Sequence, residues 1–308
     1  MAQGSVVRRP PAWEERLSLR LFLILSPKLQ RVAQPETPRW LAPFEAVTVA
    51  RPEGGTLSAT WYPAPEPVRG GVLLLHPWAP WGKAYFHRRS RLRALREAGY
   101  HALTLDFPGF GESGPPAGFF DRDVEAGLVE LRRRIGDLPL HVWGVSSGGY
   151  WAHPALARSR EVSGAVFEDV SPHLLEWSWR MAPLGRPGYL FFRHVFRRAD
   201  RFLDARRHAA ALRLGAVTYI SGEKDPGISP EETRELATLA RGRHRIIPTA
   251  GHLSAIKVAT DEVHALAVQT FREAEETPCD RNPPPEPLSC RDEESACCPF
   301  NSDPLPGV

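Results

Sequence analysis

No cysteine stands before position 279 of this 308-residue chain; all four (Cys279, Cys290, Cys297 and Cys298) fall in its C-terminal tail. The body therefore has no disulfide framework, and the spacing of the four matches no zinc-ligand pattern. Long apolar runs are missing as well. A bilayer span needs ~20 consecutive apolar residues, and the nearest approach is the short run Leu21-Phe22-Leu23-Ile24-Leu25. Arg8, Arg9, Arg16 and Arg20 precede it, as in a secretory leader, but Glu14 and Glu15 interrupt them and no small-residue cleavage site follows. The stretch from Trp13 to Val32 reads instead as an amphipathic N-terminal helix. Packing on the body is its expected role, with weak association with a membrane surface as the alternative. Lysine is scarce beside arginine, no internal repeat is present, and the net charge of +3 makes no case for nucleic acid as a partner. A cytoplasmic location is expected.

What remains is enough chain for one sizeable α/β domain with appendages. Strand-like and helix-like segments alternate, which argues for a mainly parallel central sheet with helices on both faces. Residues 1–43 form an N-terminal helical extension in this reading, 44–276 the main domain and 277–308 a tail. The tail holds Pro283-Pro284-Pro285 and six acids against Arg281 and Arg291, a net of −4. With few residues able to build a core, it should be disordered and dispensable.

The most informative stretch is Gly144-Val145-Ser146-Ser147-Gly148, a G-x-S-x-G run. Apolar Leu140, Val142 and Trp143 precede it and small Gly149 and Ala152 follow, the pattern of a strand, a sharp turn and a helix. Such a turn exposes the Ser146 hydroxyl on strained backbone. A serine hydroxyl is a poor nucleophile at neutral pH and needs a base, which in turn needs an orienting carboxylate. Both follow in chain order. Val217 to Ile220 is a β-rich run, and Asp225 lies in the loop after it. A helix-like stretch (Glu231 to Ala240) and a short strand (Arg245 to Ile247) come next, and then Gly251-His252. His252 is the expected base and Asp225 the expected acid, with Glu168 and Asp169, at the end of the preceding strand, as alternatives. Upstream, the continuous apolar run Gly71 to Leu75 reads as a buried parallel strand ending at His76-Pro77-Trp78. Negative charge developing on an attacked carbonyl oxygen needs backbone N–H donors. Ser147 at the helix start is one. Pro77 has no N–H, so Trp78 is the expected second. Asp106, after the next strand, is expected to fix its loop rather than to do chemistry.

Together these residues resemble the α/β-hydrolase superfamily, from about Phe44 to Arg272. The likeness covers the His-x-x turn, the Asp106-Phe107-Pro108-Gly109-Phe110-Gly111-Glu112-Ser113 loop, the elbow at Ser146, the Gly222-to-Asp225 acid loop and the terminal Gly-His. The entry Glu53 to Pro63 is similar to the first hairpin of the serine aminopeptidase-like and monoacylglycerol lipase-like branch. Pro77 departs from the usual His-Gly pair, and Pro154 falls inside the helix after the nucleophile, where it should kink it. The resemblance implies a helical cap over the nucleophile, supplied by 171–213, which is rich in aromatics and arginines. It implies a serine hydrolase acting on a small-molecule carboxylic ester through an acyl-enzyme, without cofactor or metal. Thioester, amide or monoacylglycerol-type substrates, or a non-catalytic binding protein on the same fold, are the alternatives. The basic cap argues against an aminopeptidase, whose substrate carries a free ammonium.

Overall fold

The computed structural model describes residues 7–25, 36–88, 90–180 and 185–277, and within these it leaves out the side chains of 24, 25, 178–180, 185 and 186. The tail from 278, with all the cysteines, lies outside the described residues, as does the stretch 26–35 to which the N-terminal helix was expected to run.

Eight strands form one sheet: β1 (Glu45–Ala50), β2 (Thr56–Tyr62), β3 (Gly70–Leu75), β4 (Tyr100–Leu105), β5 (Leu140–Val145), β6 (Val162–Glu168), β7 (Ala216–Gly222) and β8 (Arg243–Ile247). Their order is β1-β2-β4-β3-β5-β6-β7-β8. The β1–β2 hairpin and the β2–β4 pair are antiparallel. All other neighbours are parallel. The central strands are apolar on both faces because helices cover both; every residue of β3 and β5 is buried. Two apolar clusters, one on each face, make the core.

The helices are α1 (Ala12–Leu25), α2 (Arg91–Glu97), α3 (Asp121–Ile135), α4 (Ser147–Arg158), α5 (Leu174–Arg180), α6 (Gly185–Val195), α7 (Arg197–Phe202), α8 (Ala205–Ala209), α9 (Pro230–Leu239), α10 (Ala255–Val258) and α11 (Thr260–Glu276). On α3 the buried residues Val124, Leu128, Leu131 and Ile135 recur at helical spacing and face the sheet. Ser229 and Glu232 close a reciprocal capping box at the start of α9, with Pro230 in its first turn. α4 runs without a break across Pro154. α5 to α8 occupy the long connection between β6 and β7, where sequence placed the insert.

α1 is built into the body. Leu19 and Phe22 join the core cluster of one sheet face. Glu14 Oε1 accepts the N–H groups of Arg198 and Ala199 at the start of α7. Glu15 pairs with Arg9 and accepts the Phe119 N–H, and Arg9 also pairs with buried Asp121.

Candidate active site

Ser146 sits between the end of β5 and the first residue of α4, at φ +49° and ψ −117°. That left-handed backbone is strained for a residue with a Cβ. Its N–H donates to Glu168 O (2.7 Å) and its carbonyl accepts the Tyr150 N–H (2.9 Å), so β6 and α4 hold the turn from either side. The flanking glycines follow from contact distance. A Cβ on Gly148 would fall 2.2 Å from Leu75 O, and one on Gly144 would fall 2.5 Å from Gly149 Cα. The start of α4 is therefore pressed against the end of β3 and the turn that follows it.

His252 reaches the same place from the loop after β8. Its Nε2 lies 3.2 Å from Ser146 Oγ, and its Nδ1 lies 2.6 Å from Asp225 Oδ2. The Asp225 side chain is buried. Its other oxygen accepts the N–H groups of Gly227 (2.8 Å) and Ile228 (3.1 Å). A carboxylate held in this way keeps the imidazole proton on Nδ1 and leaves Nε2 as an acceptor toward the serine. Burial by itself lowers the pKa of His252. The hydrogen bond to Asp225 and the charges of Asp225 and Asp169 outweigh that effect and raise the pKa above the ordinary histidine value.

The two alternative acids have other partners. Glu168, at the end of β6, accepts both Nε and Nη2 of Arg91 and the indole N–H of Trp143, all buried. Arg91 and Glu168 are a closed pair beneath the elbow. Removing one member of such a pair strands the other as a buried charge. Arg91→Met should therefore cost about 3–5 kcal/mol of stability, read as a shift of the urea midpoint at unchanged slope. Wild-type stability in that variant would refute the assignment of a buried charge pair.

Asp169 is closer to the site. It is buried, at φ +49°. Its Oδ1 accepts the Gly222 N–H (3.0 Å) at the end of β7, and its Oδ2 accepts the Leu253 N–H (2.8 Å) beside His252. It thereby ties the acid loop to the histidine loop. One atom each of Asp169, Asp225 and His252 lie within 4.8 Å of one another. Burial, with Glu168 and Asp225 nearby, pushes its carboxyl up to about 7. Sequence reading named Asp169 only as a rival acid. That it spans two loops depends on long-range placement, which no local pattern carries.

The expected oxyanion donors lie on the two surfaces that meet at Gly148. The Ser147 N–H opens α4 and has no acceptor among the described residues, as first-turn amides do. His76 sets the turn that carries Trp78. Its Nδ1–H donates to Pro77 O (2.7 Å), and its Nε2 accepts the Phe107 N–H (3.1 Å). Burial lowers the pKa of this imidazole and keeps it neutral for that double role. The Trp78 N–H has no acceptor among the described residues either. The indole of Trp78 packs edge-on against Phe22 of α1 and Phe110 and stacks near Phe120. Asp106 accepts the Lys83 backbone N–H (2.6 Å) and pairs with its ammonium (2.7 Å), which fixes the segment after that turn.

From the connection above, the Trp177 ring of α5 lies over His252, 6.0 Å between ring centres and 28° from parallel. A Cβ on Gly227 would come within 2.3 Å of its Nε1, so Trp177 also rests on the acid loop. Sequence marked it only as one aromatic among many. Tyr189, Phe192, Phe196 and Phe202 are buried in the packing of the same helices, whereas Phe191 is exposed. Arg193, Arg197, Arg198, Arg201 and Arg207 face water. The side chains of Trp179, Arg180 and Arg186, and the whole of Met181, lie outside the described residues.

Residues 71–190 match a family model described as the alpha/beta hydrolase fold. Protein ABHD14A of Mus musculus is 36% identical over 77 residues, 24% of this chain and 28% of that protein, so the match spans under a third of that relative. Among solved structures, an esterase of Pyrococcus furiosus superposes with a TM-score of 0.63 at 20% identity, over 80% of this chain and 98% of that one. An esterase from Exiguobacterium antarcticum gives 0.55 at 15% identity, over 74% of this chain and all of that one. These likenesses are of fold. They agree with the sheet order and with the strand, turn and helix around Ser146, and the chain has the α/β-hydrolase fold.

Proposed function

We propose that this protein is a serine hydrolase that cleaves small carboxylic esters through an acyl-enzyme intermediate. One observation carries the reading: the unbroken relay from Ser146 Oγ to His252 Nε2, and from His252 Nδ1 to Asp225. Ser146 Oγ attacks the ester carbonyl carbon while His252 Nε2 takes its proton. The carbonyl oxygen becomes an oxyanion, facing the amides of Ser147 and Trp78. One such donor is worth on the order of 3 kcal/mol of barrier. Collapse breaks the bond to the alkoxy oxygen, and His252 gives that oxygen its proton, so the alcohol leaves neutral. Water then repeats the sequence on the acyl-enzyme, releasing the acid and restoring Ser146. Asp225 holds the tautomer throughout and stabilises the imidazolium. The residues above need no metal or cofactor for these steps. Trp177, over His252, limits the approach of water from the cap side.

The test is a panel of p-nitrophenyl esters of varied chain length, run with and without prior treatment with a fluorophosphonate probe. Turnover of at least the short esters, lost in step with covalent labelling, is the expected result. A folded protein that neither labels nor turns over any ester would sink the proposal.

The raised pKa of His252 sets a pH dependence. The base must be neutral to accept the Ser146 proton, so activity is lost as pH falls through the pKa of His252. With that pKa above the ordinary histidine value, the acid limb of kcat/KM should lie above pH ~6.5. A limb at or below that value would contradict the charge balance described for the site.

A further inference from the structure

α1 buries Leu19 and Phe22 in the core but also turns polar side chains inward. Its two acids, Glu14 and Glu15, are turned inward and consumed by the N–H groups of Arg198, Ala199 and Phe119 and by Arg9. Its outward stripe is Trp13, Arg16, Leu17 and Arg20, with Trp13 59% and Leu17 41% exposed. α6 also exposes large apolar side chains. Tyr189 and Phe192 point inward, whereas Leu190, Phe191 and Val195 are 55%, 68% and 46% exposed. Half of the ten large apolar side chains exposed among the described residues lie on these two helices. α1 and α6 both pack on α7, whose first N–H groups Glu14 caps.

The charge on this face has one sign. Arg16, Arg20, Arg197, Arg198 and Arg201 are exposed, and none forms an ion pair among the described residues. Arg193 reaches Asp200 at 3.7 Å, and Asp200 itself is only partly exposed. A water-facing helix normally turns its large apolar residues inward. Exposed Trp, Phe and Leu among unpaired arginines suit a surface that is apolar just below a layer of negative charge, which is the interface of an anionic bilayer. An acidic protein would satisfy the arginines but gives no reason for three outward apolar side chains on consecutive turns of α6.

We propose that the outer face of α1, α6 and the start of α7 docks on the interface of membranes containing anionic lipid. α6 packs on α5, whose Trp177 lies over His252, so docking brings the roof of the candidate site to the lipid. The docking is independent of which reaction that site performs.

Flotation of the full chain with vesicles tests it. With about one-third phosphatidylglycerol in phosphatidylcholine, the bound fraction should exceed that on pure phosphatidylcholine by about tenfold or more at low salt, and it should fall as salt is raised. A variant with Leu190→Gln, Phe191→Gln and Val195→Gln should lose most of that binding. So should a second variant with Arg16→Gln, Arg20→Gln and Arg197→Gln, whose side chains are exposed and whose melting temperature should stay within a few degrees of the parent. No flotation of the parent chain, equal flotation on both vesicle types, or binding untouched by the arginine variant would each overturn the proposal. If the apolar variant dissociates an oligomer in sedimentation while the parent chain never floats, the face joins two copies of the chain and the lipid assignment falls.

Discussion

Ser146→Ala should lower kcat for a p-nitrophenyl ester by about 10⁶-fold, as removal of a nucleophile does when its general base and oxyanion donors are left with nothing to activate. Fluorophosphonate labelling should vanish with it. The substitution leaves the fold intact, because the turn is held by the Ser146 N–H to Glu168 O and the Tyr150 N–H to Ser146 O, both main-chain bonds. Ser147→Ala is the matched control. The proposed contribution of that residue is its backbone N–H, which alanine keeps, so labelling should persist and turnover should stay within about tenfold. The opposite outcome, labelling lost in Ser147→Ala and kept in Ser146→Ala, would mean that the adjacent hydroxyl is the nucleophile. The relay to His252 would then need another partner.

Local signals were enough to locate much of this architecture. G-x-S-x-G is legible because the sharp turn admits no side chain at two of its positions: Gly148 lies against Leu75 O, and Gly144 against Gly149. The β3 run is legible because a parallel strand covered on both faces is apolar throughout. Asp225 and His252 follow from their places after β7 and β8, a matter of chain order. The elements that tie them together were not legible. Asp169 acts on Gly222 and Leu253, 53 and 84 residues away, and nothing near position 169 announces either partner. The turn at His76 was legible as a motif, but not that its imidazole would accept the Phe107 N–H from the loop after β4. The outward polarity of α1 was hidden for a further reason. Glutamates are read as the solvent face of a helix, and here Glu14 and Glu15 have buried partners, which turns Trp13 and Leu17 out.

The acid provides the sharpest separation of roles. Asp225→Asn should lower kcat/KM at neutral pH by about 10⁴-fold, because an amide opposite Nδ1 no longer enforces the tautomer that presents Nε2 as acceptor and cannot stabilise the imidazolium. Asp169→Asn should do less. It disrupts the pair of acceptors that hold the Gly222 and Leu253 amides, a loss of about 1–3 kcal/mol, and it removes a carboxyl that, to the extent it is ionised near its own pKa of about 7, adds to Asp225 in raising the pKa of His252. With less negative charge nearby the imidazole loses its proton more readily. The acid limb of the pH profile in Asp169→Asn should therefore move to lower pH, even as the plateau falls. A residue that merely propped the loops would lower the plateau and leave the limb in place. If Asp169→Asn instead costs more than Asp225→Asn, the orienting role passes to the carboxylate at the end of β6. The Nδ1 contact at 2.6 Å to Asp225 would then not be the one that operates in turnover.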